Sequence, residues 1–424
     1  MMKLSKLTAF FLLVAIGLSF LGCAVLSPSN TSDLMGGIIP SAQAVGYADA
    51  AELRSSVEKG ADFALRLFRN SLTEGENTLV SPLSVMCALA MTANGAKGDT
   101  LREMESVHGL SSGELNALFK TTLNRLNKEE EGLRFHLANS IWFTDDERFT
   151  VNRDFLQTNA DFYGAGVYRA PFNDSTLKDI NDWVNDNTDG MIPAILNEIP
   201  DEAVMYLINA LAFDGEWAVP YEEYQVSPGD FTLEDGTKKT VDFMRSQEDV
   251  YLEDGDAAVG FLKTYKGGKY AFAALLPKEG TTVSDYAASL DGDRLIRILD
   301  SARYTAVETA LPKFETSFDT ELSTVLKTMG MPTAFDGRTA DFTGLGTSTA
   351  GNIFISRVLH KTFISVSEQG TKARAATAVE MVDECAMEYV EPERVILDRP
   401  FVYMLVDCET NLPFFIGCLM DAAE

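Results

Sequence analysis

The segment from Glu368 to Met381 constrains the fold of this chain more than any other, because its small residues recur at every second position. In an extended strand such residues share one face. From Thr371 onward, one face carries small and uncharged side chains, which are Thr371, Ala373, Ala375, Thr377 and Val379. The opposite face holds every charge and consists of Lys372, Arg374, Ala376, Ala378 and Glu380. This pattern predicts a strand in the middle of a sheet, with one buried face and one wet face.

An exposed alanine-rich loop or a short helix is the alternative for the same segment, because Ala, Lys, Arg, Glu and Met all favour helices. Local propensity alone leaves the strand and its alternatives open. The order of the motifs elsewhere in the chain is what favours the strand.

These motifs follow one another in a set order along the sequence. They are Asn77-x-x-x-Ser81-Pro82-x-Ser84, Leu207-Ile208-Asn209 with Gly215-x-Trp217, Leu311-Pro312-Lys313-Phe314, Asp341-Phe342-Thr343-Gly344, Arg399-Pro400-Phe401 and Phe414-Phe415-Ile416-Gly417. Glu368-x-Gly370-Thr371-x-Ala373 has the form of a mobile hinge, and His360 stands eight residues before it. Over residues 55–422 the chain resembles the serpins, the serine protease inhibitor family.

The resemblance implies an α+β serpin fold, in which helices accompany three β-sheets and a reactive loop at about residues 368–392 is exposed. It also implies that a target protease cuts this loop, which then inserts as a strand into the central sheet and traps the protease. The hinge would consist of Glu368, Gly370, Thr371, Ala373, Ala375 and Thr377. The partner would be a serine or a cysteine endopeptidase, and the inhibitor itself a monomer without catalytic activity.

The resemblance further implies a buried polar cluster beneath the central sheet, where its middle strands part. Its members would be Ser81, Ser84, Asn209 and His360, which must stay hydrogen-bonded to be tolerated there. Trp217 would pack near the upper point at which the loop begins to insert. The role expected of the cluster is mechanical, holding the sheet shut in one state and permitting it to open in another.

The reactive bond is expected between Glu384 and Cys385, because serpins usually place seventeen residues from the hinge glutamate to the cut. A glutamate-preferring protease would be the target. The stretch up to Pro400 is several residues longer than is usual in the family, so other positions remain open. They are Asp383, with a caspase-like preference, and Met387 or Tyr389, with a chymotrypsin-like or subtilisin-like preference.

The N-terminal 23 residues predict export from the cell. Two lysines precede an apolar run from Leu7 to Leu21, which is short for a membrane span and typical of a secretory signal. Cys23 follows Phe20-Leu21-Gly22, which resembles the cleavage site of a bacterial lipoprotein, and Ala42-Gln43-Ala44 is a rival cleavage signal. Residues 24–50 are then expected to form a flexible tether and residues 51–424 a single serpin domain, secreted or held at the cell surface.

Charge and cysteine content exclude several functions. The chain has 35 Lys and Arg against 63 Asp and Glu, which argues against nucleic acid or an anionic membrane as the partner. Membrane attachment is therefore expected only through a lipid on Cys23. The cysteines show no metal-binding spacing. Cys408 and Cys418 flank a predicted hairpin turn, so a disulfide between them is conceivable, whereas Cys87 is expected to be a small buried side chain.

No catalytic, metal or cofactor site is predicted. Gly109-Leu-Ser-Ser-Gly113 has the form of a nucleophile elbow, but Glu114 and the apolar residues that follow make helix capping the better interpretation. The loop that starts at Asn185 imitates a calcium site, yet its twelfth position is Leu196 in place of an acid. Two other functional classes stay open. One is a non-inhibitory serpin that acts as a carrier or chaperone, and the other is a substrate-binding lipoprotein.

Several helices and strands are predicted directly from the sequence. Ser81 and Pro82 start a buried helix that stops at Gly95, and a second helix covers 177–188. Four apolar runs bounded by polar, Gly or Pro residues predict buried strands at 206–213, 270–276, 401–406 and 414–419. Large sheets covered on both faces are therefore expected.

Overall fold

The computed structural model describes residues 30–41, 46–47, 49–126, 131–145, 149–200, 203–349, 351–371 and 391–423. The helices are α1 (Ala50–Ser71), α2 (Pro82–Ala93), α3 (Gly98–His108), α4 (Ser112–Leu126), α5 (Arg153–Phe162), α6 (Asp174–Asn187), α7 (Val283–Ser289), α8 (Gly292–Asp300) and α9 (Ser323–Met329). The strands are β1 (Ser32–Asp33), β2 (Thr78–Val80), β3 (Leu133–Thr144), β4 (Phe149–Val151), β5 (Gly166–Ala170), β6 (Met205–Glu216), β7 (Val226–Thr232), β8 (Lys238–Glu253), β9 (Ala258–Thr264), β10 (Tyr270–Pro277), β11 (Arg303–Pro312), β12 (Phe314–Glu321), β13 (Gly346–Ser348), β14 (Arg357–Ser367), β15 (Gly370–Thr371), β16 (Glu393–Ile396), β17 (Phe401–Asp407) and β18 (Pro413–Leu419).

Within these ranges the strands form three sheets. The large sheet has the order β1-β5-β3-β6-β15-β14-β12. The second sheet runs β16-β11-β8-β9-β10-β17-β18-β2, with β7 beside β8, and the third pairs β13 with β4. Together with the helices, this arrangement agrees with the α+β fold and the three sheets that the resemblance implied.

The local signals in the sequence explain where the elements begin. Ser81 caps α2 by accepting a hydrogen bond from Ser84 N, and Pro82 occupies the first turn. Ser111 and Glu114 exchange hydrogen bonds at the start of α4, so the serines of the apparent nucleophile elbow serve as a helix cap. The four apolar runs form β6, β10, β17 and β18, which confirms the predicted strands.

The large sheet is covered on both faces, as its apolar strands require. Even-numbered residues of β6, such as Ile208 and Ala210, pack with Ile180 and Val184 of α6 on one face. Odd-numbered residues of β6 belong to the larger core, which joins the opposite face to the second sheet and to α1 and α2. A strand added beside β6 would therefore turn one face to the main core and the other to the side of α6, where Lys361 and Phe363 of β14 stay partly exposed.

Residues 30–41, which fall in the predicted tether, lie against the body of the protein. Ser32 and Asp33 pair with β5 at the edge of the large sheet, and Leu34 N donates to Val167 O at 2.9 Å. Thr31 also donates to Asp179 on α6. The backbone groups of this part find partners on an open sheet edge. The flexible tether over residues 24–50 as a whole stays a prediction.

Cys408 and Cys418 do not form the disulfide that their flanking positions suggested. Cys418 pairs with Val402 well inside the hairpin, whereas Cys408 lies beyond the strand in the turn, so the register keeps the two residues apart. Cys87 is buried, as expected. Among the described residues, no helix is long and apolar enough to cross a membrane.

Candidate functional site

A buried polar cluster lies under the middle of the large sheet and contains Ser81, Ser84, Asn209 and His360. His360 on β14 stands directly opposite Asn209 on β6. Ser81 N donates to His360 Nε2 at 3.1 Å, and His360 Nδ1 lies 2.5 Å from Asn209 Oδ1. The structure thus brings together the four residues that the resemblance named, at the place where β6 and β14 pair directly.

The hydrogen bonds fix the charge and the tautomer of His360. Because Nε2 accepts from a backbone N–H, the ring proton must sit on Nδ1 and be donated to Asn209 Oδ1. Burial lowers the pKa of His360 to about 3, because the imidazolium would lose its water. The ring is therefore neutral at physiological pH, and a proton on Nε2 would break the bond to Ser81.

Acidification is expected to weaken the protein through His360. The unfolded pKa is about 6.5, so between pH 6.5 and 3 the unfolded state binds one more proton, and the stability present above pH 6.5 is lost as the pH falls. From pH 7 to pH 5 the loss is about 2 kcal/mol. Urea unfolding at both pH values should show this loss and a smaller one in His360→Asn. An unchanged pH dependence in the variant would contradict the assignment.

The hinge begins inside the large sheet. Gly370 and Thr371 form β15, which pairs antiparallel with β14 on one side and with β6 on the other. Further along, β14 and β6 pair directly and in parallel, from Arg357 opposite Tyr206 to Phe363 opposite Ala212. The sheet is therefore open by one strand's width at one end and closed along the rest.

Gly370 is required by the narrow space at this opening. Its φ is +148°, a conformation that residues with a Cβ rarely adopt. A Cβ at this position would lie 2.0 Å from Gly215 O and 2.9 Å from Glu216 Cα. Only glycine lets the hinge pass so close to the backbone of β6.

Aromatic side chains hold the first hinge residues in place. Trp217 Nε1 donates to Ser367 O at 2.9 Å, and its indole stacks on Tyr265 with ring centroids 4.5 Å apart. The hydroxyl groups of Tyr265 and Thr371 are 2.6 Å apart, and both side chains are buried. Burial raises the pKa of Tyr265, and the bond to Thr371 opposes that rise only in part.

An ion pair flanks the turn between β14 and β15. Lys313 Nζ lies 2.8 Å from Glu368 Oε1, and both side chains are about one-third exposed, at 35% and 29%. Partial burial raises the pKa of Glu368, but the bond to Lys313 and a backbone hydrogen bond together outweigh burial, so the pKa lies below its ordinary value. Glu368 is therefore ionised at neutral pH and attracts the Lys313 side chain.

The sequence did not assign a role to several residues of this site, including Tyr265, Lys313 and Asn139. Asn139 on β3 accepts a hydrogen bond from Ser84 Oγ and extends the polar cluster by one strand. Lys313 was visible as part of a motif, but its partner is 55 residues away. Five other predicted residues, Ala373, Ala375, Thr377, Glu384 and Cys385, lie outside the described residues, as does Cys23.

No metal centre is found in the described part of the chain, and the serines of the apparent nucleophile elbow cap a helix. That part of the chain contains no group of three His, Cys, Asp or Glu placed to hold a metal ion. His108, next to the apparent nucleophile elbow, is buried and bonds Met104 O, and burial lowers its pKa to about 4. Ser111 Oγ donates to Glu114 Oε2 in the cap of α4.

Comparison with known proteins identifies the family of this chain. The profile of "Serpin (serine protease inhibitor)" matches residues 58–422, which is most of the chain. The chain belongs to the serpin family. An uncharacterized serpin-like protein of Thermococcus kodakarensis is 30% identical over 369 residues, covering 85% of this chain and 84% of the relative. Serpins are typically protease inhibitors and are generally not enzymes, although some members are not inhibitory.

Solved serpin structures give the same fold. The thermophilic serpin tengpin in its native state is 42% identical, with a TM-score of 0.86 over 92% of this chain and 100% of tengpin. Tengpin in its latent state is 41% identical, with a TM-score of 0.77 over 88% of this chain and 99% of tengpin. Human thyroxine-binding globulin complexed with thyroxine is 24% identical, with a TM-score of 0.77 over 88% and 100%, and shows the fold alone. This serpin is thus more similar to native tengpin than to latent tengpin.

Proposed function

We propose that this serpin inhibits a target protease by inserting its cleaved loop as a strand between β6 and β14. The observation that carries the proposal is β15, because Gly370 and Thr371 of the hinge already lie between these strands. The rest of the gap is closed only by direct pairing of β6 with β14. Insertion then needs no new site, only the lengthening of a strand that has started.

The register of β15 supports continued insertion without sliding. Thr371 lies between Val366 and Gly215. Continued in steps of two, the same register places residue 375 between Thr362 and Leu211, and residue 377 between His360 and Asn209. Both of these pairs are already directly opposite one another across β14 and β6, so the strands need only move apart.

The side chains along this path fit the space that would receive them. Thr371 faces the main core, so residues 373, 375, 377 and 379 of the continued strand would face it too. They are alanine, alanine, threonine and valine. Thr377 would arrive beside Asn209 Nδ2, which is buried and has no hydrogen-bond partner among the described residues. Its hydroxyl could accept that hydrogen bond.

The covalent step belongs to the protease. Its serine hydroxyl or cysteine thiol attacks the carbonyl of the scissile bond, its general base takes the proton, and the amine of the C-terminal fragment leaves. The protease stays attached as an acyl-enzyme to the N-terminal side of the cut. Insertion of that side before water hydrolyses the acyl bond would drag the protease along the sheet and distort it.

We place the reactive bond between Glu384 and Cys385, so the target would prefer glutamate. Mass spectrometry of the released C-terminal peptide tests this assignment, because its first residue should be Cys385. A peptide that starts after Asp383, Met387 or Tyr389 would reject the register and name the preference of the protease instead.

Incubation with a panel of serine and cysteine proteases tests the inhibitory function. At least one protease with a matching preference should give a covalent complex that survives boiling in detergent, and the same protease with its nucleophile replaced should give none. Complete cleavage of the loop without a complex across the panel would contradict inhibition. It would favour a carrier function instead.

We further propose that residues 1–23 direct export and that Cys23 carries a lipid, so that a monomer is held at the cell surface. The contacts of residues 30–41 support this assignment over cleavage after Ala44, which would remove β1 from the large sheet. Replacement of Cys23 by serine should move the protein from the membrane fraction to the soluble fraction. An N-terminus at Val45 would show that the rival signal is used.

A further inference from the structure

A buried lysine lies beneath the opening that receives the hinge. Lys263 is on β9, and its side chain is 3% exposed. Its Nζ lies 2.7 Å from Oε1 of Glu248 on β8, which is 13% exposed. Glu248 also accepts a hydrogen bond from Ser246 Oγ. An ammonium group in such a place needs compensation from all its neighbours, because it has lost its water.

Two aromatic rings provide part of that compensation. Lys263 Nζ lies 4.3 Å from the ring centroid of Tyr221 and 5.5 Å from that of Trp217. Both distances are within the range of cation–π attraction, which is stronger where water is excluded. If either ring turned away from Lys263, the ammonium charge would lose part of this attraction. The lysine therefore restricts the orientation of both rings.

The same two residues hold the turn at the start of the hinge. Trp217 N donates to Gln369 O, and Tyr221 N donates to Glu368 O, each at 2.9 Å. The indole Nε1 of Trp217 donates to Ser367 O. Three hydrogen bonds thus connect the segment above Lys263 to the turn between β14 and β15.

An ion pair that only stabilises the fold would not need to be buried beneath the residues that bind the hinge turn. Lys238 and Asp230 also form an ion pair, but both side chains are more than half exposed, at 63% and 55%. Lys263, in contrast, places its charge under the two residues that bind the hinge turn. We propose that Lys263 is a positioning residue which, through Trp217 and Tyr221, holds this turn in the opening of the sheet.

The consequence for inhibition rests on the proposed function. Insertion lengthens β15, which begins at this turn. If the turn is already held in place, the slowest step, which is the start of the strand, is complete before the loop is cut. Loss of Lys263 should slow insertion, and hydrolysis of the acyl bond should then release more of the protease. The number of inhibitor molecules consumed per trapped protease should rise several-fold.

Hydrogen exchange tests the positioning without any protease. In Lys263→Met, the amides of Trp217 and Tyr221 should exchange at least ten-fold faster, whereas amides of β3 and β5 should keep their rates. Lys263→Met leaves Glu248 without its counter-charge, so the double variant with Glu248→Gln is measured as well. Lys238→Met is the matched control, because it removes an exposed pair from β8 and should leave every rate unchanged.

The outcomes separate this inference from the inhibitory function. Unchanged exchange at Trp217 and Tyr221 in both variants would overturn the positioning role, and so would an increase shared equally by β3 and β5. Faster exchange confined to the turn and its partners would support it, even if no protease is trapped. Absence of trapping by the unaltered protein would count against the inhibitory function alone.

Discussion

A single cut in the loop is expected to raise the melting temperature of this serpin by about 10–20 °C. The cut frees the chain after Thr371 to continue β15 along the gap between β6 and β14. The direct pairing that is lost covers the stretch from Arg357 to Phe363 on β14. The strand that replaces it can bond on both edges, which gives a net gain of about ten backbone hydrogen bonds.

The size of the shift follows from these bonds. Each is worth on the order of 1 kcal/mol net, so insertion contributes about 10 kcal/mol before side-chain burial is counted. The unfolding entropy of a domain of this length is on the order of 0.8 kcal/mol per kelvin, which converts 10 kcal/mol into about 12 °C. Burial of the small inward side chains adds to this value.

Scanning calorimetry of cut and intact protein measures the effect, with mass spectrometry to show that the only cut lies between residues 372 and 390. Protein incubated with an inactivated protease is the control and should melt as the untreated protein does. A cut sample that melts at the original temperature would show that the loop stays outside the sheet. The inhibitory mechanism would then be lost, while membership of the family would stand.

The sequence predicts which hinge residues face inward, because successive side chains of a strand point to opposite faces. Small residues at every second position mark the inward face, and Thr371 lies on the buried side with its hydroxyl on Tyr265. The members of the polar cluster were available only through the resemblance. Nothing in the sequence around Ser81 and His360 shows that these two residues, 279 positions apart along the chain, come together.

Contacts between distant segments account for what the sequence left out. Lys263 lies on the same face of β9 as Phe261 and Tyr265, which are both buried. Its burial could therefore have been inferred from the alternation of side chains along the strand. Its partner Glu248 and the two rings could not, because they come from other segments. The docking of residues 30–41 was missed for a similar reason. Backbone pairing with an open sheet edge needs no particular side chains and leaves little trace in composition.

A charge on the inward face of the hinge is expected to convert the inhibitor into a substrate. In the continued register, residue 375 enters between Leu211 and Thr362, which are both buried. Ala375→Glu would therefore carry a carboxylate into the core without a counter-charge, or force it to take up a proton, at a cost of several kcal/mol. About 4 kcal/mol in the barrier to insertion slows that step roughly 1,000-fold.

Trapping depends on a race between insertion and hydrolysis of the acyl bond, so this delay should decide the outcome. In Ala375→Glu the protease should cut the loop at the normal rate, form little or no stable complex and leave active. The number of inhibitor molecules consumed per trapped protease should rise more than ten-fold, and the cut variant should lose most of its gain in melting temperature.

Arg374→Glu is the matched control, because it places the same side chain one residue earlier, on the face that already carries charge. It should trap protease within about two-fold of the unaltered protein, since no carboxylate enters the main core. Equal effects of the two variants would mean that the loop does not insert with alternating faces. Loss of trapping in Ala375→Glu alone would tie inhibition to the inward face that begins at Thr371.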